Sequence, residues 1–396
     1  MGLKQATSND RLVALVLALV PFTALGLGRF AYGLLLPTMR AELSWSYLEA
    51  GVVTTANTGG YLIGAAMGAA MLRRHGEWSL IVIGSAAIAC AMAGTAIAGS
   101  LVVISLFRFA VGLVSGWAFL AGSTFAARLS KAGAPAALVW YPAGAGLAVV
   151  ITAAGHSAIA TTFAGWRAGW LTVSALGAVA AALLAVFVPR TKHPKSSRAE
   201  RAQTAKATGA RVRGLEISYG LFGLGYISYV TFAGAYVKGG PSTPSTGLFW
   251  TTLGLASVVG AFTWPSLFAR HSAGAMYPIT LVTCSAGVIV LLIERGLVGA
   301  LASAALFGFS FLAVVSGVSA SARDRVPPEG WASALGWVTV IFGAGQTLGP
   351  LLGGALGDTP SGLRLGLAAS AAILLIAAIA AFADNRTVAA ASRTPA

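Results

Sequence analysis

The sequence predicts an all-α membrane protein, with twelve transmembrane helices arranged as two parallel six-helix repeats. Of its 396 residues, 57% are hydrophobic and only 9% are charged, and the mean hydropathy is +0.81. Soluble domains carry about 25% charged residues, so this chain could not cover itself with a polar surface. Apolar runs of 18 or more residues recur along it, and each is long enough to span a bilayer. A self-comparison adds a repeat with an offset of about 195 residues.

The polar and Gly/Pro-containing breaks between these runs divide the chain into twelve predicted spans. The first run is too long, and lacks the small-residue cleavage site, for a removable signal peptide. In chain order the predicted spans are 12–39, 47–72, 79–99, 101–128, 137–163, 166–188, 215–238, 247–269, 276–293, 297–322, 331–356 and 362–382.

The longest polar connection predicts the boundary between the two halves. Residues 189–214 hold eight Lys/Arg and no apolar run. We therefore expect an N-terminal six-helix half at 1–188, a basic linker at 189–214 and a C-terminal half with a short tail at 215–396. The linker is interpreted as a solvated loop that sets the topology, and a specific anionic-lipid site is the alternative.

The distribution of positive charge predicts the orientation of the chain. With the N-terminus inside, the inner segments hold nineteen of the 26 Lys/Arg, the outer segments hold five, and Arg29 and Arg108 lie within spans. The positive-inside rule then places the linker and both termini in the cytoplasm. The net charge of +15 is thereby explained by topology, and no nucleic-acid partner is expected.

Several short matches support the internal repeat. "GLGRFAY" (26–32) aligns with "GLGYISY" (223–229), which makes Arg29 and Tyr226 equivalent, and "AAR" ending at Arg128 aligns with "SAR" ending at Arg323. Six spans are an even number, so both halves have the same orientation and are related by an axis along the membrane normal. A ligand would then bind near the midplane, between the halves.

These features resemble the major facilitator superfamily over essentially the whole chain. "RFAVGLVSG" (108–116) is similar to its fourth-helix signature, and "RRHG" (73–76) occupies its basic turn after the second helix. "LGRFAYGLLLPTMRAELSWSYLEAG" together with "GAGQTLGPLLGG" (343–354) resembles the bacterial YbfB/YjiJ-like branch. The resemblance implies a secondary transporter of the bacterial inner membrane that works by alternating access. The sequence departs from the family pattern at Arg73, where the basic turn usually has an acid, and its "GPLLGG" lies in the eleventh span rather than the fifth.

Enzymatic chemistry is not expected. The chain has no GxxxxGK[ST] phosphate loop and no carboxylate cluster that could hold magnesium, so no cofactor and no metal are predicted. Cys90 and Cys284 lie in separate apolar segments and are interpreted as packing residues. All eleven acids lie at or near span ends or in loops, which leaves the midplane without a carboxylate proton carrier.

Three in-span side chains are the main functional candidates. Arg29, Arg108 and His156 fall at a similar predicted depth, ten, seven and seven residues from the outer ends of their spans. The arginines could bind a substrate anion. Alternatively, each could have only a structural role, which for Arg108 is a hydrogen bond to backbone carbonyls or to a neighbouring helix. His156 is the in-span side chain whose ordinary pKa is nearest neutrality, so it is the candidate proton carrier, with a hydrogen-bonded packing role as the alternative.

Other residues are assigned by their place in the predicted bundle. Polar residues of the first, second, seventh and eleventh spans are expected to line the substrate site with the two arginines: Tyr32, Asn57, Tyr226, Tyr229 and Gln346. Each could instead be an interhelical packing residue. Gating roles are expected for Arg73, Arg74, Arg270, Gly349 and Pro350, with topogenic charge and tight helix packing as the alternatives.

The expected substrate is a small polar or anionic organic molecule, moved by a monomer with proton coupling. The first alternative is an exporter of hydrophobic or cationic compounds. Two arginines without a midplane acid argue against cationic substrates. A second alternative, from another class, is a membrane sensor with a transporter fold that does not transport.

The orientation is testable by cysteine labelling. In a variant without Cys90 and Cys284, single cysteines at 195–210 or at the C-terminus should be protected from a membrane-impermeant thiol reagent in intact cells, because the positive-inside rule keeps them in the cytoplasm. Cysteines at 240–245 should react. Labelling of the linker from outside the cell would reverse the orientation.

Overall fold

A computed structural model describes residues 8–159, 165–190, 212–240, 245–326 and 330–391, and all regular structure in these ranges is helical. Most of the predicted linker lies outside the described residues. The helices are α1 Asp10–Leu43, α2 Tyr47–Ile97, α3 Leu101–Lys131, α4 Ala137–Ile159, α5 Trp166–Phe187, α6 Arg213–Lys238, α7 Thr246–Arg270, α8 Ala273–Ile293, α9 Leu297–Arg325, α10 Trp331–Gly357 and α11 Leu363–Ala391.

Eleven helices of the described ranges are long and apolar enough to cross a membrane, and α2 crosses it twice. Its 51 residues break at Gly76, where φ is 78°, a conformation that glycine adopts without steric cost. At 1.5 Å per residue, α2 is about 77 Å long, which is roughly two and a half times the 30 Å hydrocarbon layer. The prediction of twelve spans in two six-helix halves is confirmed, with the second and third spans joined through Gly76.

Serine caps mark where several helices begin. Ser46 accepts a hydrogen bond from the Glu49 backbone N–H, and the Glu49 carboxylate accepts one from the Ser46 N–H at 2.8 Å. This reciprocal capping box satisfies two amide groups that the first turn of α2 would otherwise leave without partners. The side chains of Ser100, Ser245 and Ser272 cap α3, α7 and α8 in a simpler form.

Successive crossings place the helix ends on two faces of the bundle. The basic face carries the start of α1, the break at Gly76, and the ends of α3, α5, α7 and α9. The far face carries the end of α1, both ends of α2 and the connection from α10 to α11. Each half has a buried or half-buried ion pair at the basic face: Glu77 with Arg128 at 2.6 Å, and Arg325 with Asp384.

On the far face the two halves are in direct contact. The Asp358 carboxylate accepts hydrogen bonds from the backbone N–H groups of Tyr47 and Leu48, at 2.7 and 2.9 Å, which ties the end of α10 to the start of α2. A Cβ at Gly51 would overlap the Pro350 carbonyl, and one at Gly33 would overlap α6 and α7. These glycines let the halves approach backbone to backbone, as small residues do in membrane helix interfaces.

The Asp358 contact predicts a measurable gate. Asp358→Ala removes both bonds to the start of α2, so the far face should open more often, and a cysteine at Thr231 should be labelled by an impermeant thiol reagent in intact cells roughly fivefold faster. Thr231 is 2% exposed, and its hydroxyl faces that of Thr54 across the halves at 3.5 Å.

The matched control is Glu42→Ala. Glu42 is also a carboxylate of the far face, but its ion pair with Arg167 stays within the N-terminal half, so its removal should leave labelling at position 231 unchanged. An equal rate in the Asp358 variant and the parent protein would contradict the gate.

Candidate functional site

A wide helical segment in the middle of α1 positions the candidate site. Residues Phe22–Phe30 form a π-helix between α-helical segments, a form that is rare and often found at functional sites. A Cβ at Gly26 would overlap Ala148 of α4 and the Ala145 carbonyl, so glycine is needed where this segment meets α4. The π-helix ends at Phe30, directly after Arg29.

Arg29 connects the two halves at the centre of the bundle. The residue is 6% exposed, and its Nη1 donates to Gln346 Oε1 at 2.9 Å and to the Tyr226 hydroxyl at 3.3 Å. The Tyr226 hydroxyl also donates to Gln346 Oε1, at 2.9 Å. Arg29 Cζ lies 4.5 Å from the centroid of the Tyr61 ring. Neutral groups of α6 and α10 thus accept the hydrogen bonds of this cation, and neither brings a negative charge.

The contact between Arg29 and Tyr226 also locates the repeat axis. The two residues occupy equivalent positions in the repeats. Equivalent positions of two units related by a twofold axis can touch only beside that axis. The hydrogen bond therefore places Arg29 at the centre of the interface, where a site shared by both repeats would lie.

Arg108 lies deeper within the N-terminal half. It is 1% exposed, its Nη2 donates to the Gly28 carbonyl at 2.6 Å, and its Cζ lies 4.7 Å from the Trp170 ring centroid. Asn57 Nδ2 donates to the Arg108 carbonyl at 3.0 Å and to the Gly28 carbonyl at 3.4 Å. The Gly28 carbonyl, from the π-helix, thus joins Arg108 and Asn57 to α1.

Four hydrogen-bond donors on these two arginines and on Gln346 have no protein acceptor. Buried and unpartnered are Arg29 Nε, Arg108 Nε, Arg108 Nη1 and Gln346 Nε2. Neither guanidinium forms an ion pair with a carboxylate of the described residues. A buried donor without an acceptor is costly, so this region is suited to a group that brings negative oxygens.

A cavity of about 620 Å³ lies between α2, α3 and α10, in the half of the bundle toward the basic face. Tyr61 forms part of its wall and contacts the Arg29 guanidinium with its ring face. Arg29 itself is not a wall residue and reaches the cavity through Tyr61. The contacts of Asp358 and Gly51 close the far face, and the cavity lies on the opposite side of Arg29, toward the basic face.

The two remaining predicted lining residues, Tyr32 and Tyr229, lie in different parts of the bundle. The ring centroid of Tyr32 lies 5.7 Å from Arg108 Cζ. The Tyr32 hydroxyl donates a hydrogen bond to the Ala50 carbonyl at 2.9 Å. Tyr229 lies apart, bonded to the Ser303 hydroxyl at 2.7 Å and stacked on Phe307. It packs inside the C-terminal half and makes no contact with the arginine cluster.

The predicted gating residues also lie in different parts of the bundle. Pro350 lies at the closed far face against Gly51, whereas Gly349 packs on the Leu224 carbonyl within the C-terminal half. The cations of the basic face, Arg73, Arg74 and Arg270, are exposed. The His156 backbone belongs to α4, but its side chain lies outside the described residues.

Three carboxylates with structural roles were missed by the sequence reasoning. Glu77 is 1% exposed and pairs with Arg128, although it was treated as a span-end acid. Asp384 pairs with Arg325, and Asp358 closes the far face. An acid directly after the glycine of "RRHG" was a usable signal for Glu77, since a buried carboxylate needs a cation and Arg128 ends the neighbouring span.

Comparisons with known proteins agree with this architecture. The family described as "Uncharacterised MFS-type transporter YbfB" matches residues 22–382. No curated protein sequence matches the chain. A bacterial homologue of the human lysosomal transporter Spinster, solved in an inward-facing and unoccupied conformation, is similar with a TM-score of 0.73 and 16% identity over 99% of this chain and 100% of the other. The nucleoside transporter NupG is similar with a TM-score of 0.71 and 16% identity over 98% and 100%. At these identities the two structures show a shared fold.

Proposed function

We propose that this chain, which belongs to the YbfB-like family of major facilitator superfamily transporters, moves a small organic anion across the bacterial inner membrane by alternating access. Membership in the family makes it a multi-pass membrane transporter. The proposal adds the anionic character of the solute, the coupling to protons and the direction in which the chain lies in the membrane.

The observation that carries the anion is the contact set of Arg29. A buried guanidinium at the repeat axis has only neutral acceptors, and Nε on its other edge has no partner. A carboxylate accepts two parallel hydrogen bonds from one guanidinium and also supplies the counter-charge that an amide oxygen or a phenol lacks. A substrate carboxylate would therefore displace Gln346 and Tyr226 from Arg29.

That displacement gives a physical route to alternating access. Without substrate, Arg29 of the N-terminal half is bonded to α6 and α10 of the C-terminal half. A carboxylate bound to Arg29 removes these bonds and leaves Gln346 and Tyr226 free to donate to the substrate instead. The substrate then replaces a direct connection between the halves, and the free energy of rocking from one face to the other changes with occupancy.

The location of charge supports the proposed orientation. The basic face holds the cationic helix ends Arg73, Arg74, Arg128 and Arg270, so we place it in the cytoplasm with both termini and the linker of residues 189–214. The cavity then opens inward. The monomer remains the proposed state, since the site is built from one chain.

A second candidate, an exporter of hydrophobic compounds, is favoured by one observation. The described wall of the cavity carries mainly apolar side chains, which a hydrophobic solute would also fit. A sensor that does not transport would bind its ligand and move nothing. Uptake and efflux by purified protein in liposomes separate the three possibilities, because each requires a different dependence on Arg29.

Arg29 is the residue whose replacement tests the proposal most directly. Arg29→Ala should abolish the accumulation of organic anions by proteoliposomes, and Arg29→Lys should lower their affinity at least tenfold, because lysine keeps the charge but loses the planar fork. The readouts are initial transport rates and equilibrium binding for a panel of radiolabelled carboxylates.

Arg295→Ala is the matched control, because Arg295 also lies over a tyrosine ring (4.7 Å to Tyr236) but at the far end of the C-terminal half. It should transport like the parent protein. Undiminished binding of carboxylates by Arg29→Ala would refute the anion site, and Arg29-independent efflux of uncharged compounds would favour the exporter.

Proton coupling is proposed for His156, the in-span histidine. If His156 takes up and releases the coupled proton, His156→Gln should flatten the pH dependence of transport between about pH 5.5 and 8, since only the imidazole changes charge in that range. Binding measured at constant pH should remain. His75→Gln, a change in an exposed histidine of the basic turn, should keep the parent pH profile. A normal profile in His156→Gln would assign coupling to another group.

A further inference from the structure

The chemistry of the cavity wall restricts what can be attached to the substrate anion. Among the described wall residues none is charged, and three have polar side chains: Tyr61, Ser123 and Thr339. The remainder of the described wall consists of aliphatic residues, glycines and Phe119. The cavity of about 620 Å³ has the size of sites that hold drug-sized ligands.

Two of the three polar side chains have already used their donors. The Ser123 hydroxyl donates to the Leu120 carbonyl at 2.9 Å, and the Thr339 hydroxyl donates to the Leu335 carbonyl at 2.6 Å. Both bonds stay within the helix that carries the hydroxyl. A sugar or a nucleoside placed here would lose hydrogen bonds to water without replacing them, which is unfavourable for each group buried.

The charged end of the site and its apolar end meet at one residue. Tyr61 contacts the Arg29 guanidinium on one side and belongs to the cavity wall. Arg108 does not line the cavity and is held by the Gly28 carbonyl and Trp170. Arg29 also lies outside the wall, but it adjoins the cavity through the Tyr61 ring, so it is the cation that a bound carboxylate reaches when this ring turns aside, and apolar side chains line the rest.

We infer that the substrate is an amphipathic monocarboxylate, with its carboxylate at Arg29 and an uncharged hydrocarbon body along the wall between α2, α3 and α10. This inference rests on the proposed anion site and adds the nature of the rest of the molecule. Each methylene buried against the wall raises the affinity roughly three- to fourfold. A dicarboxylate of the same length would place its second charge against apolar side chains.

Gly336 offers a way to shorten the apolar compartment without touching the anion site. A Cβ built on Gly336 meets no atom within 4 Å, and the residue lies in the wall. A tryptophan there extends into the cavity. Gly116 is unsuitable for this purpose, because its Cβ would lie 2.6 Å from the Ala65 backbone nitrogen. Gly99, also without neighbours within 4 Å but in the connection between α2 and α3 on the far face, provides the matched control Gly99→Trp.

The experiment measures binding to the full chain in lipid nanodiscs, with empty nanodiscs as the blank for partition into lipid. The probes are acetate, butyrate, hexanoate and octanoate, with 1-octanol as the uncharged analogue and suberate as the dicarboxylate of equal length. We expect the affinity to rise at least tenfold from butyrate to octanoate, and octanol and suberate to bind at least tenfold more weakly than octanoate.

The variants divide the site into its two parts. Gly336→Trp should lower the affinity for octanoate at least tenfold and the affinity for butyrate less than threefold. Gly99→Trp should change neither affinity. Arg29→Ala should lower the affinity for every monocarboxylate. Equal affinity for butyrate, octanoate and suberate, all dependent on Arg29, would overturn the inference and leave the anion transporter standing. Octanol binding as tightly as octanoate, with no effect of Arg29→Ala, would overturn both. The absence of binding by every monocarboxylate would also overturn the inference.

Discussion

The arrangement of this bundle depends on keeping one guanidinium ion inside a hydrocarbon solvent. An arginine at mid-bilayer costs at least about 2.5–3.5 kcal/mol unless other groups solvate it. Here the protein replaces water with an amide oxygen, a phenol and an aromatic face, contributed by Gln346, Tyr226 and Tyr61. The groups that solvate the ion come from both halves. Removing them therefore affects the contact between the halves as well as the ion.

Close helix contact is what allows such short bonds across the interface. The π-helix of α1 and the glycines beside it bring α1 against α4, α6 and α7. Hydrocarbon solvent provides no hydrophobic driving force between helices, so association relies on packing and on interhelical hydrogen bonds. The same feature makes the interface reversible. Each side-chain hydrogen bond across it is to a neutral partner or to backbone, and aromatic side chains such as Phe30 and Phe311 pack beside these bonds.

The sequence predicts the fold well because hydropathy and charge distribution are properties of long segments. Twelve spans, short connections and the equivalence of Arg29 and Tyr226 all follow from patterns that survive small errors in register. The site is less predictable. Tyr32 and Tyr229 keep equivalent neighbours, since the offset that aligns Arg128 with Arg323 also pairs Arg108 with Ser303, but only Tyr32 lies beside a cation. The π-helix changes the helix rotation for the part of α1 after Phe22, and no local sequence signal marks it beyond glycine content. The roles of Glu77 and Asp358 are unpredictable for another reason: position at the end of a span does not show whether a carboxylate is solvated, and here one is buried against Arg128 and the other binds backbone amides.

The backbone partners of Asp358 at the far face determine which mutations can abolish this contact. Asp358 holds main-chain N–H groups at positions 47 and 48, and every amino acid except proline supplies that group. Random mutation at the two positions would therefore leave the closing contact in place in nearly every allele, while almost any change of the aspartate would abolish it. Few substitutions can therefore abolish the closing contact. One codon carries its charge, whereas the other side of the contact requires only a backbone N–H group at each of two positions.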